Sequence, residues 1–318
     1  MRRALCVGID EYAFGPLDGC VNDASRMCSI LSNHADGSPN FSCRPLIAAR
    51  GEPDKVTRSS LRSHIDELFK YPADVALFHF ADHGTVNNLD GYLVTQDAKL
   101  FDEGVAMADV LKWANDSPAK EAIILLDCCH AGHLGNAPAI DNKKSTLREG
   151  VSILTAARGD QPSVEYGGGG LFTSLVIDAL DGGAADLLGT VSAPSIYSFA
   201  EAALGAWDQR PLFKAHVASV TALRHCTPPV SRAILRKLPD MFPLPAEDHP
   251  LSPDHEKSEF LADSRKIAIF NDLQALARVH LVVPVGAKHM YDAAMASKAC
   301  RLTPTGRYYW RLASSGKI

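Results

Sequence analysis

No apolar run in this 318-residue chain approaches the ~18–20 residues a helix needs to cross a bilayer, which excludes a helical membrane span. Met1-Arg2-Arg3-Ala4 passes at once into a strand-like run, without the apolar core and cleavage site of a signal peptide. A disulfide framework is missing as well: eight cysteines in a chain this long, two of them adjacent, do not look like the pattern of a secreted protein. A reducing, cytoplasmic setting is therefore expected, and it keeps a thiol usable. Charge of either sign is not in large excess. A net charge of -5 argues against a dedicated polyanion binder, although a basic segment can hide in that sum. Internal repeats are absent. Hydrophobic content of 46% and charged content of 22% are ordinary for a globular protein, and the length suits one large core or two domains.

One stretch organises what is present. Ala122-Ile123-Ile124-Leu125-Leu126 breaks without a spacer into Asp127-Cys128-Cys129-His130-Ala131-Gly132. A short run with no polar alternation predicts a strand buried on both faces, as in a parallel sheet. Reactive groups of open α/β sheets collect at the carboxyl ends of such strands, and packing alone does not call for an acid and two thiols there. A second buried strand, Val75 to Phe80, likewise runs into Ala81-Asp82-His83-Gly84.

Taken in order, Leu5 to Ile9 predicts a first strand, and Asn22 or Asp23 is placed to cap a helix through Met27, Ile30 and Leu31. Thr57 opens a helix whose Leu61, Ile65, Leu68 and Phe69 share one face. Tyr92 to Val94 is a short strand, and Met107 to Ala114 a helix. Val151 to Ala156 is a further strand. Glycines 167 to 170 precede a helix from Phe172 to Leu180. A helix from Ile196 to Leu204 and a strand near Phe213 to Val220 follow. Such alternation implies a mostly parallel sheet with helices on both faces. Seven prolines between Pro228 and Pro253 then read as a linker or arm. Helical periodicity returns near Ser264, and Thr303-Pro304 forms a cap and first helical position. The expected division is 1–222, 223–263 and 264–318.

His83 and Cys129 lie just past two buried strands, 46 residues apart, and neighbouring parallel strands would bring them within side-chain reach. An imidazole beside a thiol can deprotonate it or lower its pKa, either of which makes a nucleophile near neutral pH. Backbone N–H groups at Gly84 and Cys129 are natural donors to a tetrahedral oxyanion. In an extended segment Asp127 and Cys129 face one way and Cys128 the other, so Cys128 should point inward.

These motifs, with Leu5-Cys6-Val7-Gly8-Ile9-Asp10, Gly19-Cys20-Val21-Asn22-Asp23-Ala24, and Glu165 followed by Gly170-Leu171-Phe172-Thr173, resemble the caspase-like cysteine peptidases. The likeness is to the metacaspase and bacterial orthocaspase-like branch, over about residues 3 to 221. It implies an α/β, caspase-like fold: a mostly parallel sheet flanked by helices, with a small C-terminal helical, winged-helix-like module. It implies Cys129 as nucleophile and His83 as general acid/base. By the same resemblance Asp23 and Asp127, with Cys20 at the rim, line a pocket for Arg or Lys; two carboxylates favour a guanidinium and repel an acid. Ala81 departs from the family, which commonly has Ser there. Calcium (Ca2+) is the one cofactor the resemblance raises, through Asp97, Asp102 and Glu103; Asn136 stands where a further acid is expected, and a solvated acidic loop is the other reading. The segment from Asn136 to Gly150 offers Lys143, Lys144 and Arg148 to proteolytic activation, or is an ordinary exposed loop.

The function expected is a cysteine endopeptidase acting on protein substrates after Arg or Lys, in a bacterial defence or cell-death pathway. The C-terminal module, where basic residues from Lys257 to Lys317 outnumber acids, would dock an upstream or activating protein, with nucleic acid as the minority reading. The alternative is a catalytically silent scaffold that binds partners through that module. A Cys128-Cys129 redox switch is disfavoured because adjacent cysteines rarely form an unstrained disulfide.

Overall fold

The computed structural model describes residues 1–86, 91–100, 102–128, 140–141, 144–145, 147–156, 168–204, 210–256 and 263–318. Two compact units account for them: Met1–Ala185 with Thr190–Thr227, and Asp186–Gly189 with Pro228–Ile318.

The first unit opens with β1 (Arg2–Ile9), α1 (Cys20–Ser32), β2 (Ser42–Ala48), α2 (Arg58–Lys70) and β3 (Val75–Ala81). Next come β4 (Gly84–Val86), β5 (Gly91–Lys99), β6 (Asp102–Ala106), α3 (Met107–Asp116) and β7 (Glu121–Asp127). After the short pair β8 (Ile140–Asp141) and β9 (Lys144–Ser145) it continues with β10 (Val151–Thr155), α4 (Leu171–Asp178), β11 (Thr190–Ser192), α5 (Ala193–Leu204), β12 (Leu212–His216) and β13 (Ala222–His225).

Among the described residues six strands form the main sheet in the order β12-β10-β7-β3-β1-β2, parallel throughout except for β12. Its central strands are hydrophobic on both faces because both are covered. Ala76, Phe78 and Phe80 of β3 and Ala122, Ile124 and Leu126 of β7 join Leu61, Ile65, Val110 and Leu111 of α2 and α3. Val75, Leu77, Ile123 and Leu125 face the other way, onto Met27, Leu31, Phe172, Val176 and Ile196 of α1, α4 and α5. The same alternation carries Cys128 into the first of these clusters, at 0% exposure. β4, β5 and β6 form a separate antiparallel sheet.

Helix starts follow local chemistry where a cap is at hand. Thr57 Oγ1 accepts from Ser60 N and Ser60 Oγ accepts from Thr57 N, a reciprocal box at the start of α2. α1 differs from expectation. It begins at Cys20, and the exposed amides of Cys20 and Val21 are taken by the Asp10 carboxylate at 2.9 and 3.2 Å. Asp10 thus caps α1 from the end of β1, and Asp23, one turn in, is left for other work.

The second unit corrects the expected linker. Residues 228–256 carry α6 (Arg232–Arg236), α7 (Leu238–Met241) and β14 (His249–Pro250), followed by α8 (Ser264–Arg278), β15 (Val282–Val285), α9 (Met290–Met295), β16 (Ala299–Leu302) and α10 (Pro304–Ser314). Val230, Leu235, Leu238, Met241, Phe242 and Leu251 pack with Phe270, Leu273 and Leu276 in one core, and Trp310 Nε1 donates to Phe242 O at 2.7 Å. The prolines sit where the fold tolerates them, such as Pro239 in the first turn of α7. The unit is not purely helical: β14, β16 and β15 pair antiparallel, and α9 lies in sequence between β15 and β16 where a wing hairpin would join them. Thr303 Oγ1 accepts from Gly306 N, capping α10 as its sequence predicts.

Candidate active site

Pairing of β3 with β7 sets Ala81 opposite Asp127, and Asp82 N donates to Asp127 O at 3.1 Å. The two strands therefore end level, and the described residues that follow them, Asp82 and His83 after β3 and Cys128 after β7, start from the same edge. Cys129 and His130 lie outside the described residues, as do Asn136, Lys143 and Glu165.

His83 is tied down from two sides. Its backbone N–H donates to Asp82 Oδ1 at 2.7 Å, and its ring Nε2 is 2.7 Å from Gly15 O. A carbonyl can only accept, so the ring proton sits on Nε2 and Nδ1 is left as the basic nitrogen. The Tyr12 and His83 rings meet in a T-shaped contact, 5.1 Å between centroids, and Phe14 lies at 6.2 Å. Tyr12 O–H donates to Asp82 Oδ1 at 2.6 Å. Burial pushes the Asp82 carboxyl and the Tyr12 hydroxyl well above their usual ranges. Gly84 begins β4 opposite Leu93 of β5, half-buried.

Asp23 and Asp127 come together, with 1% and 4% of their surface exposed. Both point at the start of α4: Gly170 N donates to Asp23 Oδ2 at 2.6 Å and Thr173 N to Asp127 Oδ2 at 2.9 Å. The turn needs glycine. A Cβ at Gly169 would lie 2.5 Å from Asp23 Oδ1, and one at Gly170 would run into Asp127 Oδ2 and lie 3.3 Å from Asp23 Oδ2. Burial pushes the Asp23 carboxyl up to about 7, against the Gly170 N–H, and the Asp127 charge adds to the rise. Cys20, 7% exposed, follows Gly19, whose Cα faces Gly168 and Gly169 so closely that a Cβ there would sit 2.7 Å from Gly168 O. Behind Asp127, Thr173 Oγ1 is 3.2 Å from Nε2 of His79, whose burial lowers its pKa to about 3.

Asp97, Asp102 and Glu103 are not brought together as ligands. Asp97 accepts from Thr95 Oγ1 at 2.7 Å and Arg58 N at 2.9 Å, while Asp102 pairs with the Arg58 guanidinium. Among the described residues no group of three or more His, Cys, Asp or Glu is arranged to hold a metal ion. Arg148 is engaged rather than presented as a scissile residue: its guanidinium donates to the carbonyls of Ala114, Ala119 and Glu149.

Sequence reasoning assigned no individual role to Gly15, Tyr12, Asp82 or Thr173. Gly15 acts through its carbonyl, which any residue has, so no residue type signals it. Asp82 was visible beside His83, but only the fold reveals Tyr12, 70 residues away, as its partner.

A level-ended parallel sheet, a tautomer-fixed imidazole at one strand tip and two buried acids beside the next define a caspase-like α/β protein. The caspase-domain model of peptidase family C14 matches residues 1–218, and the chain belongs to that family of cysteine peptidases. Metacaspase-1 of Scheffersomyces stipitis is 21% identical over 169 residues, 46% of this chain; the chain spans 40% of that relative's length. A protein of Geobacter sulfurreducens has a solved structure that aligns at a TM-score of 0.51 with 16% identity, over 71% of this chain and all of the other. Caspase-1 of Spodoptera frugiperda aligns at 0.49 with 10% identity, over 71% and 91%.

Proposed function

We propose that the chain is a cysteine endopeptidase that cuts protein substrates after Arg or Lys, with Cys129 as nucleophile and His83 as its base. The observation that carries this reading is the convergence of two buried carboxylates, Asp23 and Asp127, on the glycine turn beside the edge where β3 and β7 end. A recessed pair of acids suits a guanidinium or ammonium and excludes an acidic side chain.

In this reading His83 Nδ1 takes the Cys129 thiol proton, and the sulfur attacks the carbonyl carbon that follows the basic side chain. The oxyanion is held by the N–H groups of Gly84 and Cys129. The imidazolium gives its proton to the leaving amine and a thioester remains. Water, deprotonated by Nδ1, then releases the acid and restores the thiol. Gly15 O keeps the ring in the one tautomer that serves both half-reactions.

Fluorogenic peptides ending in Arg, Lys or Asp test the reading. Arg and Lys peptides should be cut and the Asp peptide spared; Cys129→Ala should abolish cleavage and Asp23→Ala should cut kcat/KM for Arg by about a hundredfold. Cleavage of the Asp peptide would overturn the specificity. Since Arg58 already occupies Asp97 and Asp102, activity is expected to survive calcium chelation. Processing is confined in this proposal to Lys143 and Lys144, and Lys143→Ala/Lys144→Ala checks it.

The proposed setting is a reducing cytoplasm, in keeping with seven described cysteines that are all thiols and with no described helix long and apolar enough to cross a membrane. A bacterial defence or cell-death role predicts that the wild-type gene, but not Cys129→Ala, arrests growth when expressed. A second reading, partner binding through the second unit, is favoured by one feature: a groove of about 580 Å³ between the end of α8 and the start of α9. Arg278, His280, Lys288 and His289 line it around Val282 and Met290, with no acid. Such a lining suits an acidic segment of a partner protein.

A further inference from the structure

We propose that Asp82 and Tyr12 are positioning residues for His83, a buried pair that fixes the ring against the loop carrying Gly15. The inference rests on the reading in which His83 is the base.

Asp82 is a costly residue to place where it is. At 6% exposure its carboxyl lies on the apolar side of the sheet with Tyr12, which belongs to the core cluster shared with Leu93 and Val94. Burial of a carboxyl is unfavourable unless its oxygens are satisfied. Here Oδ2 is buried with no close hydrogen-bond partner, Oδ1 receives the Tyr12 hydroxyl and the His83 N–H, and the backbone N–H of Ile9 also faces the carboxyl. A strand can end without an acid at this position, so stability does not explain the choice.

What Oδ1 receives explains it better. One donor is the backbone N–H of His83 itself; the other is the Tyr12 hydroxyl, which also lies 3.2 Å from Val94 O. Tyr12 heads the segment that runs through Phe14 to Gly15. That segment supplies an aromatic ring in T-shaped contact with the imidazole, a second ring 5.2 Å from the first, and the carbonyl that holds Nε2. The far end of the loop is closed by Leu17 N on Asp10 O at 3.1 Å. One carboxylate oxygen therefore joins the backbone of the base to the loop that sets the base's tautomer. A Gly15 carbonyl shifted by an ångström would no longer accept from Nε2, and the proton could move to Nδ1, where it blocks thiol deprotonation.

The groups that surround the pair are Asp10, Cys20 and Cys128, whose charges would all oppose ionisation of Asp82 or Tyr12. Tyr12 stays a donor and Asp82 an acceptor at Oδ1 in either state of the acid.

Tyr12→Phe, Asp82→Ala and Asp82→Asn in the full chain test this. Asp82→Asn keeps an acceptor at Oδ1, so it should retain most activity. Tyr12→Phe keeps the ring and loses only the O–H. Tyr12→Phe and Asp82→Ala should lower kcat for an Arg-ending peptide by about tenfold with KM changed less than about twofold. The acid limb of the kcat profile should shift in the same two variants. Independently of turnover, nitrogen NMR of the His83 ring in Cys129→Ala should show Nε2–H as the dominant tautomer, giving way to a mixture when Tyr12→Phe or Asp82→Ala is added. An unchanged tautomer and pH profile, or a kcat loss that matches only the loss of folded protein in a melting curve, would overturn the proposal. A tautomer that responds in a chain that cuts no peptide would support the positioning and sink the peptidase reading instead.

Discussion

Asp23 is the residue on which pH should act most visibly. Its folded-state pKa of about 7 lies above the ordinary carboxylate value of 3.8, so the folded protein holds a proton there that the unfolded chain releases. Folding stability from this group is present below that ordinary value, declines as pH rises toward 7 and stays lost above it. Asp23→Asn is therefore expected to melt higher than the parent at about pH 8 and to match it near about pH 4, by calorimetry. Binding runs the other way, because a cation wants the ionised form. Agmatine, a guanidinium probe, should bind Cys129→Ala about tenfold more weakly on going from pH 8 to pH 6, and Asp23→Asn should flatten that profile. His79 carries the opposite sign. Its pKa falls to about 3 on burial from 6.5, so its contribution is intact above the unfolded value and is lost as pH drops toward 3. His79→Gln should blunt acid unfolding across that interval. The pairing of Asp23 with Asp127 was legible from the sequence through resemblance; the raised pKa was not, since it comes from burial and from the Asp127 charge, in spite of the Gly170 N–H that reaches Asp23 from 147 residues away.

Among the elements, the helices that announce themselves are those whose cap lies next to them. Thr57 and Thr303 are both read correctly from sequence because the accepting oxygen is one residue before the helix. α1 is misread at its start because its cap is the Asp10 side chain, ten residues upstream, delivered by the end of β1. Asp10→Ala should cost about 1 kcal/mol in urea unfolding, with the loss confined to this first unit. β3 and β7 were legible as buried strands from their uninterrupted apolar runs, but nothing in either run states that they are neighbours or that Ala81 meets Asp127. Register comes from packing of both faces at once, which sequence spacing does not contain. Glycines 169 and 170 were visible only as a prelude to α4; their second role, leaving room for two carboxylates, needs the coordinates of both acids.

For the whole molecule, the caspase-like half was readable and the boundary after it was not. Seven prolines resemble a linker, yet the apolar residues among them, from Val230 to Leu251, fill the core of the second unit. A chain stopped after residue 263 would bare that surface, whereas one stopped after residue 227 would remove it together with α8 to α10. The first truncation is expected to aggregate and bind a hydrophobic dye, and the second to stay more soluble, by light scattering and dye fluorescence. Trp310→Ala should likewise loosen the second unit, since its indole spans α10 and the segment after α7. The basic groove escapes a sequence reading because its four nitrogenous side chains come from two stretches ten residues apart, on either side of strand β15.

The short loop after β1 does two jobs at once. Asp10 fastens the helix that bears Asp23, while Gly15, five positions on, fastens His83. Anyone who evolves this protein toward a new cleavage preference by randomising residues 10 to 19 should find that turnover drops whenever selectivity moves. The two traits share one hinge pin, and compensating changes would have to arise in pairs.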